Sequence, residues 1–218
     1  MYKKYCNISC ARPEPLDLEE PKHVAEAVQA LGLKYAVITS VTRDDLPDGG
    51  AEHFANCIYE IRKLCPDTKI EILTPDFKGN KDCLDTIIKA HPDVFNHNIE
   101  AVQDIFKSVR PQGDYECSLE VLKYVKDNSD ILTKSGLIIG LGETFEQIEQ
   151  TLIDLKNVGC DIVTIGQYIQ PSKHHLEVAK YYTPEEYYKL RELANKVGIK
   201  SHQIGPLVRS SYRAAELV

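Results

Sequence analysis

The sequence has no apolar run approaching the ~18 residues of a membrane-crossing helix, so neither a spanning helix nor a membrane partner is expected. No apolar stretch follows Met1-Tyr2-Lys3-Lys4-Tyr5-Cys6 either, which argues against reading these residues as a signal peptide. Repeats of fixed period and low-complexity tracts are missing. Positive charge is in deficit. The 26 Lys and Arg stand against 33 Asp and Glu, and the net charge of −7 speaks against a general nucleic-acid binder. A dinucleotide-binding fingerprint is lacking as well: in Gly140-Leu141-Gly142-Glu143-Thr144-Phe145 the third glycine position is Phe145.

What is present fits a folded α/β unit. The 218 residues are 43% hydrophobic and 27% charged, enough for a buried core and unlike a disordered or collagen-like chain. The seven cysteines are an odd count without a secretory signal, which favours reduced thiols or metal ligation over a disulfide framework. Cys57, Cys65, Cys83, Cys117 and Cys160 lack ligand-like spacing and read as small hydrophobes, mostly on helix faces.

Short β-branched runs alternate with stretches of helical period. The runs are Tyr35–Ser40, Lys69–Thr74, Val94–Ile99, Ser135–Leu141, Ile162–Tyr168 and Lys200–Ile204. Pro21–Leu31 is predicted to be helical, with Val24, Ala27, Val28 and Leu31 on its buried face. Phe54, Ile58, Ile61 and Cys65 form a second such stripe, and Leu84, Ile87 and Ile88 a third. Helices are also expected over Ser118–Val125, Phe145–Val158 and Pro184–Val197, the last capped by Thr183. This alternation predicts a parallel sheet with right-handed crossovers. Polar residues gather at the C-terminal strand ends: Thr39 to Asp45, Thr74 and Asp76, His97 to Glu100, Glu143, Gln167. Converging strand ends build the mouth of a barrel, and the number of units predicts an incomplete one.

Several constellations along the chain can carry chemistry. Cys6 and Cys10 have half of an iron–sulfur or zinc motif, but the ligand positions around them are Pro13 and Lys3. Arg43-Asp44-Asp45 and Gly49-Gly50 lie in one strand–helix turn, where glycines admit a ligand close to backbone and carboxylates can hold an amino group. Asn98 and Glu100 share one face of a strand end, suited to ribose hydroxyls or a metal. Arg209-Ser210-Ser211-Tyr212 reads by default as a polar tail, and His174-His175 as a polar loop.

Taken together, Leu31–Gly50, Leu73–Gly79, Pro92–Glu100, Val109–Pro111, Thr133–Thr144, Leu152–Asp161, Thr164–Ser172 and Gly205–Tyr212 resemble the lipoyl synthase family of radical SAM enzymes. The resemblance runs from about Tyr5 to Tyr212. It implies a partial (β/α)6 radical SAM barrel with residues 1–12 as a remnant of the cluster-binding loop, 13–205 as barrel and 206–218 as a C-terminal segment. It also implies two [4Fe–4S] clusters, S-adenosyl-L-methionine, and insertion of two sulfur atoms into a protein-bound octanoyl chain. The partners implied are octanoylated lipoyl carrier domains (2-oxoacid dehydrogenase E2 subunits, glycine cleavage H protein) and an electron donor such as ferredoxin or flavodoxin.

By the same resemblance, Cys6 is the third cluster cysteine, and Ser210 or Ser211 is the unusual ligand of the auxiliary cluster. The turn holding Arg43, Asp44, Asp45, Gly49 and Gly50 would meet the methionyl end of S-adenosylmethionine, and Asn98, Glu100, Glu143 and Gln167 its ribose and adenine. With the remaining cluster cysteines and the first barrel strand lacking, the chain alone is expected to be inactive, with Tyr35–Ser40 as a sticky edge that lowers solubility or pairs into a dimer. Two alternatives are a catalytically dead homologue that binds S-adenosylmethionine or a carrier domain, and a metal-dependent (β/α) barrel lyase using His97, Glu100 and Asp76. A cytoplasmic location is expected, or mitochondrial matrix or plastid if a targeting segment precedes Met1.

Overall fold

The computed structural model describes residues 5–7 and 13–218. Cys10 and Lys3 therefore lie outside the described residues. Six parallel strands form one sheet whose spatial order follows the chain: β1 (Tyr35–Thr39), β2 (Lys69–Leu73), β3 (Val94–Asn96), β4 (Leu132–Ile139), β5 (Ile162–Gln167) and β6 (Ser201–Gly205). Seven helices accompany them: α1 (Glu20–Ala30), α2 (Ala51–Leu64), α3 (Lys81–Ala90), α4 (Gln103–Val109), α5 (Tyr115–Asn128), α6 (Phe145–Asn157) and α7 (Pro184–Val197). Among the described residues no strand precedes α1, and β1 pairs with β2 alone. Nor is any helix long and apolar enough to cross a membrane.

Alternation along the strands divides the sheet into two unlike faces. Parallel register puts Ala36, Ile70, Ile72, Phe95, Leu137, Val163, Ile165 and Ile204 on one face. They join the core cluster with helix residues such as Phe54, Ile58, Leu84, Leu122, Ile148 and Leu190. The opposite face carries Tyr35, Glu71, Asn96, Lys134, Gly136, Thr164 and Gln203. Apolar burial on the first face holds the layers together, which leaves the second free for polar chemistry.

The helix termini follow local chemistry. Thr183 and Thr144 each accept from the N3 backbone while Glu186 and Gln147 reach back, so α7 and α6 both start with a capping box. Gly50, at φ +90°, precedes α2, a conformation glycine adopts without a Cβ penalty.

Four sequence expectations are corrected. In α1 the buried positions are Pro21, Ala25 and Val28; Ala27 is exposed and Leu31, 72% exposed, already lies past the helix end. The buried stripe is thus rotated relative to the expected one, and Val24 is half-buried at its border. Strand β3 stops at Asn96, not Ile99, although Glu100 still bridges to Leu137 of β4. Strand β4 begins at Leu132, three residues before the expected start, because Thr133 and Lys134 are buried despite their polarity. The short helix α4 has no counterpart among the expected elements; its seven residues are too few to show a clear period.

Candidate active site

At the C-terminal ends of β3, β4 and β5 a cleft with about 160 Å³ of space is lined by Asn98, Glu100, Gly136, Thr164, Gln167 and Ser210, among others. Tyr5, Val208 and Arg209 complete its wall, so segments from both ends of the chain meet over the strand ends. Ligand pockets usually exceed ~300 Å³, and this one is smaller. The C-terminal segment takes up part of the mouth: a Cβ built on Gly166 would lie 2.2 Å from the Val208 carbonyl oxygen. Glycine at 166 is what lets that segment cross β5 so closely.

Glu100 sits at φ +70°, a left-handed conformation that costs a side-chain-bearing residue about 1–2 kcal/mol. Its backbone nevertheless stays tied to β4, donating to the Gly136 carbonyl and accepting from the Ile138 N–H, both at 2.9 Å. The strain is therefore imposed by the sheet, and it leaves Glu100 lining the cleft beside Asn98. The Asn98 amide donates to the Glu100 carboxylate at 3.4 Å and accepts from the Ser210 hydroxyl at 2.9 Å. Arg110, buried over the Phe106 ring, donates to the Asn98 carbonyl at 3.2 Å and lies 3.9 Å from Asp76. Burial and then the nearby Glu100 charge push the Tyr5 phenol far above its ordinary range, so Tyr5 stays protonated beside that carboxylate.

Beneath the cleft lies a polar layer that the sequence alone does not reveal. Lys134 and Glu71 are both fully buried, and the ammonium donates to both Glu71 carboxylate oxygens at 2.9 Å. Asn96 donates to Oε1 of the same carboxylate at 2.7 Å and Tyr35 to Oε2 at 2.7 Å. The third Lys134 bond goes to the Ser210 carbonyl at 2.7 Å. Burial lowers the pKa of Lys134, opposed by its pairing with Glu71. The available signal was a glutamate inside one strand-like run and a lysine just before another, which only a known register brings face to face.

The turn that holds Arg43 to Gly50 falls elsewhere. Arg43, Asp44 and Gly49 line a separate hollow of about 140 Å³ between the turns after β1 and β2. There Arg43 donates through two nitrogens to Asp45 at 2.8 Å, and Asp44 pairs with Lys78 at 3.4 Å. The Arg43 bonds hold the Asp45 carboxyl below its usual range. Asp48 caps α2 through the Gly50 and Glu52 N–H groups. Both Glu143 oxygens are engaged, accepting from the Gly140 and Leu141 N–H groups at 2.6 and 2.9 Å, with Tyr182 also donating at 2.8 Å. Gln167 is equally occupied: its amide donates to the Lys180 carbonyl and accepts from the Tyr182 N–H and the Tyr187 hydroxyl. Its side chain therefore braces the wall. Ser211 is exposed, whereas Ser210 lines the cleft.

A nucleoside fits the donor set better than a metal does. A carboxylate with a neighbouring amide, Glu100 and Asn98, suits a ribose diol, and Gly136, where a Cβ would lie 2.6 Å from Asn98 Oδ1, leaves room for that amide. For an iron–sulfur cluster the described residues offer one thiol beside Tyr5, that of Cys6. Among the described residues no group of three or more His, Cys, Asp and Glu side chains could hold a metal, so their ligand set does not fit a cluster. The same observation leaves the lyase trio of His97, Glu100 and Asp76 unassembled. His97 is buried with Nδ1 at the Thr74 carbonyl, and Asp76 accepts from the Lys78 N–H. The six described cysteines are all free thiols, and burial pushes Cys57 and Cys117 to about 11 and Cys160 to about 12. His175, expected in a loop, bonds Ser172 through Nδ1 at 2.8 Å and the Cys6 carbonyl through Nε2 at 3.2 Å, and so ties Cys6 to the wall.

Comparison with known proteins places this geometry. The Radical SAM superfamily profile matches residues 4–155. A lipoyl synthase of Caldanaerobacter subterraneus subsp. tengcongensis is 52% identical over 97% of this chain, which spans 74% of that relative. A lipoyl synthase of Rubrobacter xylanophilus is also 52% identical over 97% of this chain, which spans 66% of its length. Among solved structures, HydG, a maturase of the [FeFe]-hydrogenase, superposes with a TM-score of 0.74 at 13% identity, over 97% of this chain and 50% of that one; this likeness speaks to the fold alone. A six-stranded parallel sheet with its polar mouth at the strand ends, together with half-identity along nearly its whole length, means that the chain belongs to the lipoyl synthase family of the radical SAM superfamily.

Proposed function

We propose that this chain is the barrel portion of a lipoyl synthase, which inserts two sulfur atoms into an octanoyl chain carried on a lipoyl domain. The observation that carries this reading is the 52% identity to a lipoyl synthase over 97% of the chain. S-adenosylmethionine, and clusters whose ligand set the described residues do not complete, would supply the radical and the sulfur that the reaction requires. The chain's own residues have simpler roles. Glu100 and Asn98 bind ribose hydroxyls, while Gly136 lets the Asn98 side chain, and Gly166 the Val208 carbonyl, lie close against the strands. Ser210 and Thr164 both line the cleft, and Ile138, on the same sheet face as Lys134 and Gly136, adds an apolar side chain to its wall. The octanoylated carrier domain approaches the mouth from outside the strand ends, and a ferredoxin or flavodoxin is the electron donor we propose.

Titration calorimetry with S-adenosylmethionine tests the binding half of the proposal. The chain should bind the nucleoside, and E100Q should weaken binding roughly 10-fold or more, since it removes a charged acceptor. Unchanged affinity in E100Q, or no binding by the parent, would sink this reading of the cleft. Anaerobic reconstitution with iron and sulfide tests the other half. With no set of three or more candidate ligands among the described residues, the 218-residue chain is expected to yield no lipoyl product from an octanoyl peptide.

A further inference from the structure

A charged pair buried in a protein is a poor source of stability, because an apolar pair of the same volume is often equally good or better. The Lys134–Glu71 pair therefore calls for a reason beyond cohesion. Its bonding is complete: Lys134 has three N–H donors, and they meet the two Glu71 oxygens and the Ser210 carbonyl. Glu71 accepts from Lys134 at both oxygens, from Asn96 and from Tyr35, which fills its acceptor sites. Every bond but one stays within the sheet. The exception crosses to the C-terminal segment, 76 residues further along the chain. There the Ser210 hydroxyl meets Asn98, which in turn meets Glu100.

We propose that Lys134, held upright by Glu71, is a positioning residue that anchors the C-terminal segment through the Ser210 carbonyl and so aims the Ser210 hydroxyl into the cleft. Glu71 serves by fixing the ammonium over β3, with Tyr35 and Asn96 orienting the carboxylate. Lysine suits this position because a point charge with three rotatable donors can divide itself between a carboxylate below and a carbonyl above. The importance of this for catalysis rests on the proposed role of Ser210 at the site; the anchoring does not.

Hydrogen exchange read by mass spectrometry separates anchoring from mere stability. Three variants are compared with the parent: K134M, E71Q and E71Q/K134M. The double variant carries no buried charge, and its new amide can still bond Tyr35 and Asn96. Thermal unfolding should therefore place it close to the parent, while K134M alone is destabilised by the stranded Glu71 carboxylate. Exchange in residues 206–213 should be roughly tenfold faster or more in both variants lacking Lys134, the loss expected for one bond from a charged donor. It should stay near the parent rate in E71Q, whose amide oxygen still accepts from Lys134 and so keeps the ammonium in reach of the Ser210 carbonyl. Peptides spanning β2 and β4 should remain protected in the double variant. Tail exchange that follows thermal stability rather than the presence of Lys134, or that stays at the parent rate in E71Q/K134M, would overturn the proposal. None of these readouts depends on cofactor or turnover, so failure of the proposed reaction would leave them unchanged.

Discussion

A methyl group at Gly166 shows how little room the mouth has. The Cβ of an alanine there would stand 2.2 Å from the Val208 carbonyl and 3.2 Å from the Arg209 guanidinium. Because the neighbour is backbone, the strain cannot be relieved by turning a side chain. G166A should cost about 1–3 kcal/mol in urea unfolding, the usual cost of overpacking. It should also loosen residues 206–213 in hydrogen exchange, while leaving the Lys134–Glu71 layer below intact. At this scale the sequence was partly legible. Asn98, Glu100 and Ser210 were recognisable as polar residues at strand ends or in a motif, and the structure gathers them in one cleft. Glu143 and Gln167 were recognisable in the same way, yet their side chains are consumed by backbone and tyrosine partners. Composition cannot tell a polar group aimed at a ligand from one already satisfied, since both occupy the same kind of position.

Between elements, Asp93 closes the start of β3 against β2. Its carboxylate accepts from Arg62 at 2.6 Å, from Lys69 at 2.9 Å and from the Ile70 N–H at 2.9 Å. Burial works to raise its pKa, but the bonds from Lys69, Ile70 and Arg62 outweigh burial and hold it below the ordinary 3.8. A carboxyl depressed in the folded state adds stability that is fully present above its unfolded value and fades as pH falls through the folded one. D93N should therefore be less stable than the parent at neutral pH by about 1–2 kcal/mol. The gap between the two should narrow below about pH 4 and close in stronger acid, which denaturant titrations across that range will measure. A constant gap at every pH would mean that Asp93 acts through shape rather than charge. The strands and most helices were legible as elements because their apolar periods are long and clean. The start of β4 was not legible, because Lys134 has the look of a boundary residue. A lysine ends a strand in most contexts, and it belongs inside one here only because Glu71 lies opposite.

For the whole molecule, the unpaired side of β1 is the feature with the widest effect on behaviour. Among the described residues β1 has no neighbour beyond β2, and only its last residue, Thr39, is exposed. An apolar edge strand is a template for pairing with another chain. Light scattering during size-exclusion chromatography should find the isolated 218-residue chain as a dimer or larger species. A sharp monomer at tens of micromolar would count against this. Membership of the family was legible from strings spread along the chain, and no single motif sufficed. What could not be read was the packing of those strings on one another, because contacts such as Lys134 to Ser210 join residues far apart in the chain.

The two unlike faces of the sheet have a consequence for how the sequence can vary. Side chains alternate with a period of two, so one face answers to cohesion and the other to chemistry. Deleting a single residue within β4 would turn Lys134 toward the helices and bring Thr133 or Ser135 inward, exchanging the two faces in one step. Removal of two residues preserves facing and merely shifts the layer along the strand. Length change within the strands should therefore be tolerated in pairs or not at all, whereas the loops beyond the strand ends carry no such parity.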